Sequence, residues 1–181
     1  SYIRDLLHGN LGSSLVQQGR PVTDIVTSTL PVTLALIAAA VLLSVALGVP
    51  LGMAAARSRR AAVDHLIRGA SITLLAIPPF LIGLLLILAF GLDARWLPAG
   101  GWAGSWPANL RYLVLPSFAL SGYLTPFVVR VVRQAAVDAA NQPFVEAAIA
   151  RGLPRRTITT RHILPNSLLP VVTLVGLNVG S

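Results

Sequence analysis

The hydrophobic and polar positions of this chain fall into long blocks rather than a short alternation. No Asp, Glu, Lys or Arg occurs between Asp24 and Arg57, or between Arg68 and Asp93. A third uncharged run covers Tyr112 to Val129, and a fourth runs from His162 to Ser181. A helix that crosses the hydrocarbon core needs about 20 mostly apolar residues at roughly 1.5 Å each. Four spans are therefore predicted, at 31–56, 69–91, 112–131 and 165–181. The first run is longer than a span requires. Thr29 and Pro31, a capping residue and then a first-turn proline, set the predicted start inside it. Residues 1–30 become an extracytoplasmic lead-in and residues 138–164 a charged loop. The expected fold class is an all-α, polytopic transmembrane helix bundle.

The arginines orient these spans. Arg57, Arg59, Arg60 and Arg68 face only Asp64 after the first span, whereas Arg95 and Arg111 face Asp93 after the second. After the third span, Arg130, Arg133, Arg151, Arg155, Arg156 and Arg161 outweigh Asp138 and Glu146. Basic loops stay cytoplasmic, so the N-terminal segment lies outside and the loop after the third span inside. Trp96, Trp102 and Trp106 all fall in the outer loop, where indole rings anchor at the headgroup boundary.

Composition strengthens the membrane reading. Of the 181 residues, 55% are hydrophobic and 11% charged, and the mean hydropathy is +0.76. A soluble domain carries about 25% charged residues. The net charge of +8 sits in clusters between uncharged runs, a distribution that sets membrane orientation rather than binding nucleic acid. The chain has no cysteine, which removes disulfides and thiolate chemistry. All fourteen basic residues are arginine, so a Walker A loop and Schiff-base chemistry are excluded as well. No Asp, Glu, Lys, Arg or His lies inside the body of the first three predicted spans, which argues against ion-coupled transport. The chain starts with Ser rather than Met and stops inside an apolar run. It is therefore expected to be a segment of a longer membrane protein.

Small and polar residues mark helix faces. Ala40, Ser44, Gly48, Gly52 and Ala56 recur at intervals of four and predict close helix packing. Pro78–Pro79 should kink or break the second span. Ser117, Ser121 and Thr125 share a face of the third, as a hydroxylated solute path or as interhelical packing. In the charged loop, Asn141-Gln142-Pro143 reads as a helix start, Phe144, Val145, Ala148 and Ile149 as one apolar face, and Gly152 as the stop. Leu153-Pro154 starts a second short helix, expected to end before Pro165. Helices of two turns do not persist alone in water, so something must cover that face. A headgroup surface and the groove of another protein stand equally open on physical grounds.

Glu146-Ala147-Ala148, then Gly152, then Leu164-Pro165 resembles the EAA loop of permease subunits of bacterial binding-protein-dependent ABC importers. His162 departs from it, standing where the general motif has an apolar Ile. His162-Ile163-Leu164-Pro165-Asn166 is similar to the version in the dipeptide/oligopeptide/nickel branch. Gly9-Asn10-Leu11-Gly12-Ser13-Ser14, Arg20-Pro21-Val22 and Leu30-Pro31-Val32-Thr33-Leu34 resemble the lead-in of its B-type subunit.

The resemblance implies a fragment of a six-helix permease subunit of the bacterial inner membrane that moves peptides or related small solutes by alternating access. It implies ATPase-coupling roles for Glu146, Ala147, Ala148, Gly152, Leu164 and Pro165 in a cytoplasmic loop. The implied partners are a second permease, two ATPase subunits, an extracytoplasmic binding protein and the lipid bilayer, with no nucleic acid. The chain itself would carry no cofactor, metal or catalytic residue; ATP and Mg would be held by the ATPase subunits. The alternatives are a channel or structural membrane protein without an ATPase, or an intramembrane enzyme.

Overall fold

The computed structural model describes residues 11–14, 19–58, 61–105 and 107–179. Among them the only non-helical pairing is an isolated antiparallel bridge between Ser13 and Pro21. The helices are α1 (Val22–Arg57), α2 (Ala61–Ala76) and α3 (Pro79–Leu86), the last continuing as a π-helical turn over Ile87–Asp93. After the outer loop come α4 (Leu110–Ala140), α5 (Pro143–Ala150) and α6 (Arg155–Thr157). A second π-helical stretch, Ile158–Ile163, joins α6 to α7 (Leu164–Val179). Two helices, α1 and α4, are each long and apolar enough to cross a membrane, and α2 with α3 becomes a third candidate if the bent pair is one span.

Residues up to Ala38 form one compact unit and Ala39–Ser181 a second. In the first, α1 starts at Val22, upstream of the start expected from Thr29 and Pro31. The Thr29 hydroxyl does not cap anything; it donates back to the Ile25 carbonyl, as Thr27 does to Thr23 and Thr33 to Thr29. A threonine inside a helix and one at its start look alike in sequence, because the hydroxyl serves either geometry.

In the second unit α4 is the central element, with α2, α3 and α7 packed on it. The small-residue stripe of α1 closes against it. Ala40, Ser44, Gly48 and Gly52 are buried, and Ala56 packs at the edge of the core. A Cβ on Gly48 would stand 2.7 Å from the Val128 side chain, and one on Gly52 would stand 2.9 Å from the Val129 carbonyl oxygen. No side chain fits either place. Such backbone approach is how helices gain contact where lipid provides no hydrophobic drive. Met53, Val128, Val132, Ala136 and Val171 form the apolar cluster beside this seam.

The second predicted span is not straight. Its helix starts at Ala61, breaks at Ile77–Pro78 and turns by 93° into α3. In the outer loop, Asn109 is buried and accepts the Ala103 amide at 2.9 Å, tying the loop to the start of α4. Trp96 is exposed and lies against Phe90, with ring centroids 5.8 Å apart. Trp106 lies outside the described residues.

Candidate functional site

Helix α4 runs without interruption past the predicted end of its span, so the charged loop begins as the same rod. Asn141 ends it, and two residues later Pro143 opens α5 with Gln142 in extended conformation before it. Pro at the first helical position costs no hydrogen bond and brings its φ already set. Arg151 closes the helix and Gly152 takes φ +72°, which releases the chain toward α6. A side chain with a Cβ resists that conformation.

The apolar face of α5 divides in two. Val145 and Ala148 are buried against Ile158, with Ile163 packed beside them, so the chain covers this half itself. Phe144 and Ile149 stay exposed, at 41% and 61%. Sequence periodicity placed all four on one face but not the turn that returns over half of it. Glu146 and Ala147 are exposed too, and Glu146 has no cationic partner among the described residues. Ala148 therefore thins the contact within the loop, while Ala147 presents a small surface outward.

The second short helix does not stop before Pro165 as expected. Residues 155–179 run continuously, passing from α6 through the π-helical stretch Ile158–Ile163 into α7. The proline ring would press on the carbonyl four residues back, and the wider turn just ahead of it relieves that pressure. Pro165 is exposed, whereas Leu164 packs on the central cluster. Ile163 belongs to the rim of both apolar clusters, the one under α5 and the one between α1, α4 and α7. His162 stacks obliquely on Phe144, with centroids 6.4 Å apart.

Ser117, Ser121 and Thr125 are all buried on α4. Two of the three hydroxyls bond within α4 rather than across to a neighbouring helix. Ser121 donates to the Phe118 carbonyl and Thr125 to that of Ser121, within their own helix. The Ser117 hydroxyl is buried without a partner. A buried hydroxyl that bonds its own helix still presents a small surface to the neighbour.

Sequence reasoning missed an ion pair. Arg133 on α4 donates from Nε and Nη2 to the two carboxylate oxygens of Asp64 on α2, at 2.6 and 2.9 Å. Arg68, one turn along from Asp64, adds a contact at 3.3 Å. Both partners lie beyond the predicted spans. The hydrogen bond from Arg133 holds the Asp64 carboxyl below its ordinary value, outweighing partial burial, and raises Arg133 in return. Bidentate pairs of this kind fix geometry as well as charge. Among the described residues no cluster of His, Cys, Asp or Glu could hold a metal ion.

Long apolar helices packed through a small-residue seam, with a short helix hung from the charged end of the central one, define a polytopic helical membrane protein. Its particular kind follows from comparison with known proteins. Residues 48–181 match the family described as binding-protein-dependent transport system inner membrane component, and the chain belongs to that family. It is similar to the oligopeptide transport system permease protein OppB of Escherichia coli K12, at 37% identity over 97% of this chain and 56% of that protein. The oligopeptide permease AppB of Bacillus subtilis is 30% identical, over 99% of this chain and 58% of its own length. The glutathione transport system permease GsiC of Salmonella paratyphi A is 33% identical, over 99% and 56%. The chain thus spans a little over half the length of the curated relatives it matches.

Proposed function

We propose that the chain is part of a permease subunit of an ATP-driven importer in the bacterial inner membrane, carrying peptides or related small solutes by alternating access. Two separate ATPase subunits bind ATP and Mg, a second permease completes the pathway, and an extracytoplasmic binding protein delivers the solute. The relatives named as oligopeptide and glutathione permeases support the solute class.

One observation carries the coupling role: α5 is built inward on Val145 and Ala148 and leaves Phe144, Glu146, Ala147 and Ile149 outward at the end of α4. An apolar and acidic ridge of two turns suits a groove in a protein partner better than open water. In this reading Glu146 and Ala147 touch the ATPase, Ala148 and Gly152 shape the loop, and Leu164 and Pro165 pass its motion to α7. Ser117, Ser121 and Thr125 serve helix packing, since their burial leaves no free wall for a solute.

Charge reversal at Glu146 tests the assignment. In cells carrying the complete system, Glu146→Arg should abolish uptake of a labelled peptide and reduce copurification of the ATPase. Normal uptake with the ATPase still bound would overturn the coupling role; uptake that persists without any ATPase would favour a channel.

A further inference from the structure

Two uncharged runs meet their charged ends at one place. Arg68 precedes the run that extends to Asp93, and Arg130 follows the run that starts at Tyr112. Between α2 and α4 at that level lies a cavity of about 110 Å³, lined among others by Arg68, Arg130 and Arg133, with Ile72 and Val129 as apolar walls. A single water requires roughly 10–15 Å³, so a larger polar group fits.

The charges do not balance. Asp64 takes both donors from Arg133 and a weaker contact from Arg68, so the three arginines lining the cavity have one carboxylate among them, and it is paired with only two. Arg130 is exposed and has no acidic partner among the described residues. The other acidic group nearby, Asp138, lies farther along α4 and accepts from Gln134 at 2.9 Å. Two positive charges therefore converge where the apolar surface begins.

We infer that this cavity binds the phosphate of an anionic glycerophospholipid from the cytoplasmic leaflet. Arg130 and Arg68 hold the phosphate through planar, forked donors, while Ile72, itself 63% exposed, lies along the first methylenes of an acyl chain. A free phosphate would find the same guanidinium groups but gain nothing from the apolar walls. Basic pockets between helices on the cytoplasmic side recognise lipid headgroups by this combination. The inference rests on the membrane placement of α2 and α4, and not on transport.

The test uses the complete transporter, purified and exchanged into micelles holding equal phosphatidylglycerol and phosphatidylcholine, with bound lipid read by native mass spectrometry. Phosphatidylglycerol should be retained in preference. Arg130→Gln should lower that retention about five-fold, in line with one basic residue at a lipid surface. Arg130→Lys, which keeps the charge but loses the fork, should fall between wild type and Arg130→Gln, and Arg111→Gln at the other end of α4 should change nothing. Among the described residues Arg130 makes no ion pair that its loss would break. Equal retention of the two lipids, or no effect of Arg130→Gln, would overturn the inference. Displacement of the lipid by inorganic phosphate at matched concentration would do so too, since it would mark a site for free anions.

Discussion

Two regions of this molecule meet two prolines each and respond in opposite ways. Pro78 and Pro79 end α2 and turn the chain by 93°, whereas α4 passes through Pro116 and Pro126 as one helix. Each proline removes one amide donor, so the number of lost bonds does not separate the cases. Adjacency does. A residue before proline is pushed out of the helical region, and here that residue is Pro78 itself, at ψ 138°. Surroundings add to this. Twelve residues of α4 are buried, and its neighbours hold it in line; no residue of α2 or α3 is buried. A helix under packing from several sides keeps its course through a missing bond, and one packed from a single side does not.

The strongest way to break this comparison is to wedge the packing apart. Gly52→Leu puts a side chain where the Val129 carbonyl and Val132 already stand, and should cost at least about 3 kcal/mol, the upper end for overpacking. Gly69→Leu on α2, where nothing lies within 4 Å of the new Cβ, should be near neutral. Thermal melting of the purified subunit in detergent compares the two; an equal loss would show that packing does not distinguish the regions.

A smaller effect sharpens the role of adjacency. Pro79→Ala returns an amide and frees Pro78 to become helical, so the bend should open. Spin labels at Leu66 and Leu88, both exposed, should move apart toward the separation of about 1.5 Å per residue in a straight helix. An unchanged distance would mean that the packing of α3 on α4, and not the proline pair, sets the angle.

The smallest effect concerns the ion pair that holds the charged end of α2 on α4. The paired Asp64 carboxyl is held below 3.8, its ordinary value, so its contribution is present above that pH and lost only as pH falls through the lowered value. Asp64→Asn should lower the melting temperature at pH 7, with the gap to wild type closing below about pH 4. A gap that already closes near pH 6 would point to a different titrating group.

Much of this was legible in the sequence where the cause is local. The four-residue interval of Ala40, Ser44, Gly48 and Gly52 already marks a helix face, and Gly152 and Pro143 bracket α5 through backbone rules that hold in any fold. The Pro78–Pro79 break is likewise a property of two adjacent rings. What escaped depends on partners far along the chain. Asp64 and Arg133 are 69 residues apart, and no spacing rule joins them. The return of Ile158 over Val145 depends on the direction the chain takes after Gly152, which no spacing rule measures. Thr29 misled because its hydroxyl is satisfied equally inside a helix and at its start.

Ile163 ties the short helix to the long ones. It packs against the residues under α5 and those between α1, α4 and α7 at once, so α5 cannot shift relative to the long helices without opening a gap beside that side chain. If α5 docks on an ATPase as proposed, Ile163→Ala would leave every docking contact in place and still let part of the stroke go to waste.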